Sequence, residues 1–172
     1  MDKPSFIELY DRYFDGVNRY LRYRVDDPWD ADDLTATVFL KAWENFSKFR
    51  GEAPFAVWIF RIAHNAYVDY LRQKKQKPRE EELSPHISCE KMGPEELLLL
   101  SEEIQELRAM LQCLSPEQKD VISLRYAAEL TFPEIAQVLG KTTAAVKMIH
   151  YRALKILRER FYKREEVRRS GP

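Results

Sequence analysis

The sequence has little of what marks secreted, membrane-spanning or disulfide-rich proteins. It contains 5 glycines and 2 cysteines in 172 residues, and two cysteines are too few for a disulfide framework. No apolar run approaches the roughly 18 residues that a membrane span needs, and the first residues lack the basic and then apolar pattern of a secretory signal. These absences favour a cytoplasmic protein whose thiols stay reduced.

The sequence also lacks the residue patterns of catalytic and metal-binding sites. It has no glycine-rich phosphate-binding loop and no histidine pair of the metalloprotease type. His86 and Cys89 are three positions apart, but a zinc site needs more than two ligands. We therefore expect no catalytic residues, no metal and no cofactor, in a chain that is not an enzyme and has no small-molecule substrate.

Charge of the two signs is balanced in total but unevenly distributed. The chain has 28 basic and 28 acidic residues, for a formal net charge of zero. Residues 73–103 contain eight acidic and five basic residues, whereas residues 141–172 contain ten basic and three acidic ones. A basic C-terminal block favours contact with a polyanion, although a solvated basic helix end would have the same composition.

Apolar residues recur at helical spacing through most of the chain, and this periodicity predicts an all-α fold. Ser5 with Glu8 is a capping-box pattern, and Asp27 before Pro28 is typical of a helix start. The predicted helices in the first half of the chain cover residues 5–24, 28–46 and 54–74. Further helices are predicted over residues 94–113 and 116–127.

A segment without this periodicity divides the chain. Residues 73–95 are rich in charge, proline and serine and poor in apolar residues, a composition typical of a flexible connection. We therefore predict two small helical domains, at residues 1–75 and 104–172, joined by a flexible acidic linker at residues 76–103.

Residues 131–159 have the pattern of two helices joined by a tight turn. Thr131 and Glu134 form a second capping box, and Gly140 occupies a position where a left-handed residue ends a helix. A basic helix then begins at about Thr143. This is the spacing of a helix-turn-helix, whose second helix enters the major groove of DNA. A plain helical hairpin with solvated lysines would show the same pattern.

The second helix of this pair has an apolar and a polar face. Its inward face is predicted to consist of Val146, Ile149, Ala153 and Ile156. Its outward face then holds Ala144, Lys147, Met148, Tyr151, Arg152 and Lys155. Lysine and arginine side chains on such a face can reach guanine edges or phosphates.

The third predicted helix interleaves aromatic and basic residues. One side of this helix is predicted to contain Phe60, Arg61, His64, Asn65, Val68 and Arg72. Aromatic residues beside cations suit single-stranded nucleic acid, because bases stack on the rings while the cations neutralise phosphates. Most of these aromatic side chains would equally suit a core, so this helix alone leaves both interpretations open.

Taken in chain order, these segments resemble a known family. The stretches DADDLTATVFLKAW and FRGEAPFAVWIFRIAHNAYVDYLR, followed after the linker by LSPEQKDVISLRYAAELTFPEIAQVLGKTTAAVKMIHYRALKILRE, are similar to bacterial RNA polymerase sigma factors of the sigma-70 family. The resemblance is to the extracytoplasmic-function group, which keeps only sigma domains two and four. It covers about residues 5–75 and 104–162.

The resemblance implies a role for each segment. The chain would be an alternative sigma factor that binds core RNA polymerase and directs promoter recognition, −10 strand opening and transcription initiation. The second helix would dock on the clamp helices of the β′ subunit through Asp33, Leu34, Val38, Phe39 and Trp43. The −10 element would be contacted by Phe49, Arg50, Arg61, His64, Asn65 and Arg72. The −35 element would be contacted by Thr143, Ala144, Lys147, Met148, Tyr151, Arg152 and Lys155.

The resemblance also implies further partners and some departures. The polymerase β flap would be a second contact, and an anti-sigma factor would hold the protein inactive, in the cytoplasm or at a membrane. Ala36 and Thr37 replace the glutamine and glutamate that the family often has there, so the core contact is expected to differ. Ile149 and Tyr151 stand where arginine and histidine are common, so the −35 preference is expected to differ as well.

Two other functions fit parts of the sequence. A stand-alone helix-turn-helix regulator would bind a duplex operator tightly without polymerase and would use the N-terminal helices for dimerisation. A helical partner-binding protein would have no nucleic-acid role. A protein that contacts phosphates loses affinity steeply as salt rises, so salt dependence separates this last possibility from the other two.

Overall fold

The computed structural model describes residues 5–76 and 109–169, and all regular structure in them is helical. The predicted all-α class is therefore confirmed. In chain order the helices are α1 (Phe6–Arg24), α2 (Pro28–Asn45), a short 3₁₀ helix (Phe46–Lys48), α3 (Phe55–Gln76), α4 (Pro116–Tyr126), α5 (Phe132–Leu139) and α6 (Thr143–Arg169). None of these described helices is both long and apolar enough to cross a membrane.

Side-chain caps start the first two helices where the sequence predicts. The Glu8 carboxylate accepts a hydrogen bond from Ser5 N at 2.8 Å, and Ser5 Oγ accepts one from Glu8 N at 3.3 Å. Asp27 Oδ1 accepts a hydrogen bond from Trp29 N at 2.8 Å, with Pro28 in the first turn. These caps satisfy amide groups that the start of a helix leaves without partners.

α1 ends at Arg24 as predicted, whereas the ends of α2, α3 and α4 differ from the predicted ends by one or two residues. α3 continues to Gln76, two residues beyond the predicted end, so residues 73–76 belong to the helix rather than to a connection. α6 runs through the basic C-terminal block as far as Arg169. The rest of the predicted linker, residues 77–103, lies outside the described residues.

The first three helices form the N-terminal unit, in which α1 packs against α2 and α2 packs against α3. Large side chains from all three helices fill its centre, including Val17, Tyr20, Leu21, Val38, Ile59 and Phe60. Burying apolar side chains of this size contributes about 1.5–3 kcal/mol each. The amphipathic pattern of the sequence therefore corresponds to the packed interior of a three-helix unit.

Aromatic rings close one end of the N-terminal unit. The ring centroids of Phe6 and Trp43 lie 5.1 Å apart, and Phe49 lies 5.0 Å from Trp58 and 5.5 Å from Phe55. Ring pairs with such geometry contribute about 0.5–1.5 kcal/mol each beyond the area that they bury. They fasten the loop that follows the 3₁₀ helix against the first turn of α3.

The last three helices form the C-terminal unit and contain the predicted helix-turn-helix. Thr131 and Glu134 form the capping box of α5. Gly140 ends α5 with φ 64° and ψ 36°, a left-handed conformation that glycine adopts without the steric cost of a Cβ. Val146 of α6 is fully buried in the same apolar cluster as Ile135 of α5. The predicted helix-turn-helix is therefore confirmed.

The two units lie against each other. α3 packs on α5 and α1 packs on α4, and one cluster of buried apolar side chains extends across both units. An ion pair joins them as well, because Arg24 Nη2 lies 2.7 Å from Asp120 Oδ1. Nothing in the sequence pattern predicted this contact.

Candidate nucleic-acid interfaces

The outward face of α6 lies open to solvent. Of its side chains, Met148 is 49% exposed and Tyr151 is 66% exposed. The remaining members of the predicted −35 set are exposed at Ala144, Lys147, Arg152 and Lys155 and half-buried at Thr143. The helix therefore carries three exposed cations and one exposed ring on the side that faces away from the rest of the C-terminal unit.

The opposite face of α6 fixes its orientation. Val146 and Ala153 are fully buried, and Ile149 and Ile156 are half-buried, as the predicted inward face requires. Lys141, in the turn before α6, lies with its Nζ 2.6 Å from the Glu117 Oε1 of α4. An ion pair thus connects this turn to the first helix of the unit.

His150 is packed between the other two helices of the C-terminal unit. Its Nε2 lies 3.1 Å from the Tyr126 hydroxyl, and its ring centroid lies 5.0 Å from that of Phe132. Burial lowers the pKa of His150, and the positive charge of Arg125 lowers it further. His150 is therefore a neutral packing residue near pH 7 and not a cation offered to DNA.

A second concave surface lies beside the start of α3. A cavity of about 330 Å³ is formed there by the loop of residues 48–53 and the first turns of α3. Its walls include the cations Lys48, Arg50 and Arg61 and the rings of Phe49 and Trp58. Phe49 is half-buried and Arg50 is exposed. Sequence analysis did not select Trp58, although a residue three positions before Arg61 shares a helix face with it.

The polar residues along α3 divide into two groups. Asn65 and Arg72 are exposed, as a strand-binding surface requires. Arg61 is also exposed, but its Nη2 donates a hydrogen bond to the Gln137 carbonyl of α5 at 2.8 Å. His64 is half-buried, with its Nδ1 3.1 Å from the Tyr20 hydroxyl. In this structure two of the predicted −10 residues therefore face protein groups.

The structure places Phe60 in the core and His64 partly in the interior, although both share a side of α3 with Arg61. Phe60 is 1% exposed, and its ring meets that of Tyr20 edge to face. His64 lies 3.9 Å from Asp120 of the other unit. Helical spacing put both residues near Arg61, but α1 and α4 cover that part of α3. Their side chains are consequently interior groups here.

Burial sets the protonation of this interior cluster. It lowers the pKa of His64, although the Asp120 carboxylate opposes the shift. It raises the pKa of Tyr20, whose hydroxyl therefore keeps its proton. It also raises the pKa of Asp120, while the adjacent Arg24 guanidinium acts in the opposite direction. We assign Asp120 as ionised near pH 7 because a guanidinium lies within 2.7 Å of its carboxylate.

Exposed residues of α2 lie along one stripe. Asp33 is exposed, Leu34 is half-buried, and Trp43 is 61% exposed. Leu40 and Trp29, which sequence analysis did not select, are 59% and 63% exposed. Their spacing relative to Asp33 and Trp43 would have identified them, since positions three, four and seven apart share a helix face.

Two residues predicted to bind polymerase prove to be core residues. Val38 is 0% exposed and Phe39 is 5% exposed. Helical spacing explains this, because positions 38 and 39 lie on the side of α2 that packs on α1 and α3. They lie beneath the exposed stripe, so their side chains belong to the core in this structure, and the prediction that they touch a partner stays a prediction.

The part of the chain that the structure describes contains no cluster of metal-ligating side chains. No group of three or more histidine, cysteine, aspartate or glutamate side chains converges within residues 5–76 and 109–169. Cys113 is a free, half-buried thiol. His86 and Cys89 lie outside the described residues.

Comparison with known proteins matches both units in chain order. The family described as Sigma-70 region 2 matches residues 9–77, and the family described as Sigma-70, region 4 matches residues 110–159. A probable RNA polymerase sigma factor of Haemophilus influenzae is 30% identical over 140 residues, which are 72% of each chain. The ECF RNA polymerase sigma factor BldN of Streptomyces coelicolor is 31% identical over 91% of this chain, which spans 60% of the length of BldN.

A solved structure supports the fold. The sigma factor RpoE of Bartonella quintana, in complex with the anti-sigma factor NepR, superposes with a TM-score of 0.72 at 20% identity over 90% of this chain and 94% of that chain. At this identity the likeness concerns the fold alone. The two region matches and the Haemophilus relative show that the chain belongs to the sigma-70 family of RNA polymerase sigma factors.

Proposed function

We propose that this sigma factor, which directs RNA polymerase to promoters for transcription initiation, divides the task among three surfaces. The stripe on α2 docks on core polymerase, the loop cavity with α3 binds the −10 strand, and the outward face of α6 reads the −35 element. The observation that carries this division is the cavity beside α3, where three cations, two aromatic rings and the single carboxylate of Glu52 line one concave space.

The loop cavity suits a base that has left the duplex. A flipped base needs a ring or an apolar wall to stack on and a cation for the adjoining phosphate. Phe49 and Trp58 supply the rings, and Lys48, Arg50 and Arg61 supply the charge. Asn65 lies exposed further along α3 and offers both a hydrogen-bond donor and an acceptor.

Strand opening by this route needs no chemical step. Capturing unstacked bases stabilises the open strand with binding energy alone, so neither a nucleotide nor a metal has to act on this chain. We therefore propose that the protein is not itself an enzyme and that catalysis belongs to the polymerase that it joins.

The face of α6 suits the edge of a duplex. Lys147 and Arg152 are exposed where early positions of a recognition helix meet base edges or phosphates. Tyr151, beside them, is large enough to touch the sugar-phosphate backbone. Phosphate contacts would set the register of the helix, and base contacts would select the sequence.

The stripe on α2 suits a protein partner. Trp29, Leu40 and Trp43 are each about 60% exposed, and exposed tryptophan is enriched among residues that dominate binding energy at interfaces. Ala36 and Thr37 lie on the same exposed side. Docking on the polymerase clamp would thus depend more on apolar contact than on charge.

We also propose an anti-sigma partner and a cytoplasmic site of action, where polymerase is found. The RpoE structure contains an anti-sigma factor, and this chain has the same fold. An inhibitor that covered the stripe on α2 would prevent docking on polymerase. We propose the polymerase β flap as the contact of the C-terminal unit.

Run-off transcription tests the proposal. Purified core polymerase would be incubated with and without the protein on promoter-containing fragments from the source genome. We expect discrete transcripts only when both components are present, and their start sites would locate the −10 and −35 elements. Tight duplex binding by the protein alone, without transcripts, would instead identify a stand-alone regulator.

A further inference from the structure

Another cavity, distinct from the one beside α3, lies between the end of α1, residues 111–112, α4 and α6. Its volume is about 280 Å³. The side chains that give it an apolar wall are Tyr23, Leu111, Ile122, Tyr126, Leu154 and Leu157. None of these six belongs to the surfaces that the proposed function assigns to the polymerase clamp or to DNA. The proposed function therefore leaves this cavity without a role.

The apolar wall of this cavity is only partly covered by protein. Leu111, Leu154 and Leu157 are half-buried, and Tyr126 is 57% exposed. An apolar ligand that covered these side chains would remove their surface from water, which is the main driving force for apolar binding. A cavity of about 150 Å³ holds the six carbons of benzene, so by proportion the 280 Å³ found here suits a ligand of roughly eleven carbons.

The wall also contains a cation that has no anionic partner among the described residues. Lys119 of α4 is half-buried, and its Nζ donates a hydrogen bond at 2.9 Å to Oε1 of Gln112, a neutral amide. The other cation of the wall, Arg24, is already paired with Asp120. No aspartate or glutamate is among the described lining residues. Lys119 therefore offers the cavity one uncompensated positive charge and two unused hydrogen-bond donors.

An apolar wall with one uncompensated cation favours an amphipathic acid over other small molecules. A carboxylate that accepts from a lysine ammonium forms a charge-assisted hydrogen bond, which is stronger than a neutral one. A neutral alcohol would gain the apolar contact but not this bond. A dianionic phosphate would bring a second negative charge that no cation of the wall is free to neutralise, and such a charge is costly to remove from water. The chemistry of the wall thus selects a single carboxylate on an apolar body.

We propose that this cavity is a binding site for a monocarboxylic acid with an apolar chain of about ten carbons, the class of the medium-chain fatty acids. The chain of the acid lies on Leu111, Leu154 and Leu157, and its carboxylate accepts hydrogen bonds from Lys119 Nζ. The site goes beyond the proposed function and does not depend on it, because every residue of the wall is in place in the free chain.

Calorimetric titration of the full chain with acids of increasing length tests the size of the site. The probes are hexanoate, octanoate, decanoate and tetradecanoate, each below the concentration at which it forms micelles. We expect affinity to rise about fourfold for each CH₂ added up to decanoate and to level off by tetradecanoate, whose last carbons exceed the cavity. Affinity that kept rising to tetradecanoate would indicate association with the outer surface and would overturn the proposal, as would the absence of binding.

Lys119→Gln tests the recognition of the carboxylate. Glutamine keeps a long polar side chain but removes the charge, so octanoate should bind about tenfold more weakly or less still, whereas 1-octanol should bind as it does to the wild type. Lys41→Gln is the matched control, because Lys41 is an exposed lysine of α2 that does not line the cavity. An equal loss of octanoate affinity in the two variants would show general charge attraction and would overturn the assignment of Lys119.

Methyl NMR spectra of the wild-type chain locate the ligand without any substitution. Octanoate should shift the methyl signals of Leu111, Leu154 and Leu157 and leave those of Leu40, exposed on α2, in place. Shifts at Leu40 alone would overturn the site. If the apolar residues 97–100 of the chain filled the cavity instead, the full chain would bind none of the probes, and the proposal would fall. Run-off transcription is measured without the acid, so either result leaves the test of the proposed function intact.

Discussion

The two units differ in how they expose the surfaces that are proposed to touch nucleic acid. In the C-terminal unit the reading face of α6 is open, and its cations are exposed to solvent. In the N-terminal unit the corresponding surface is a cavity and one side of α3, and two of its polar residues contact the other unit. The face of α6 is accessible in this arrangement, whereas access to the side of α3 depends on where the C-terminal unit lies.

The cores of the two units also differ in how close they lie to the proposed binding surfaces. The N-terminal unit is held partly by large rings, two of which, Phe49 and Trp58, also line the cavity proposed to bind the strand. The C-terminal unit relies on aliphatic side chains such as Leu124, Ile135 and Val146, which lie away from its reading face. In the C-terminal unit, therefore, different residues form the core and the proposed DNA-binding face. In the N-terminal unit some residues belong to both.

The largest effect is expected at the polymerase-docking stripe. Trp43→Ala should weaken binding of core polymerase by about 30-fold or more, since truncating a dominant interface residue costs at least about 2 kcal/mol. Tyr162→Ala is the matched control, because Tyr162 of α6 is likewise 61% exposed. Titration of labelled core polymerase would measure the affinity of both variants. Equal losses of affinity would show that α2 is not part of the docking site.

The same titration separates docking from strand capture. Asn65→Ala should leave the affinity for core polymerase unchanged and slow promoter opening by about tenfold, the cost of one or two lost hydrogen bonds. Opening would be followed by permanganate reactivity of unpaired thymines. Loss of polymerase binding in Asn65→Ala would show that the exposed side of α3 meets protein rather than DNA.

A smaller effect is expected from charge removal on α6. The double variant Lys147→Ala with Arg152→Ala should lower the affinity of the holoenzyme for promoter DNA by about 10–100-fold and lower the salt slope by about two. Arg158→Ala with Lys163→Ala removes the same charge from exposed positions later on the same helix. If the slope of DNA affinity against salt fell equally in both double variants, the charge of α6 would contribute to binding without regard to its position on the helix.

Sequence analysis also described the C-terminal unit better than the N-terminal unit. The capping box at Thr131, the left-handed Gly140 and the inward face beginning at Val146 are local patterns, and each appears in the structure as predicted. Helical periodicity is enough to orient a helix whose partners are its immediate neighbours in the chain. The family and the all-α class followed from the same kind of local pattern.

The errors lie where distant segments meet. His64 was selected as a strand contact because the spacing of α3 alone cannot report that α1 and α4 cover that side. Val38 and Phe39 share an apolar character with Trp43, and only the packing of α2 separates core from surface. Arg24 and Asp120 are 96 positions apart in the printed sequence, and no pattern marks a charged residue as buried. The predicted domain limits stay predictions.

The smallest expected effect concerns pH and the C-terminal unit. The pKa of His150 is lowered on folding, first by burial and then by Arg125, so the folded state binds a proton less readily than the unfolded chain. The stability contributed by the neutral ring is therefore present above about pH 6.5 and is lost as the pH falls through the folded pKa. His150→Gln should remove this dependence, because glutamine does not titrate and can still reach the Tyr126 hydroxyl.

Thermal unfolding of the full chain at pH 7.5 and pH 5.5 would measure this dependence. We expect the melting temperature of the wild-type protein to fall by about 1–2 °C more over this interval than that of His150→Gln. Burial also lowers the pKa of His64, but this residue is present in both proteins. Its contribution to the pH dependence therefore cancels in the difference between them. An equal fall in both would mean that His150 is solvated, and the contact of α6 with Tyr126 and Phe132 would then be looser than the structure has it.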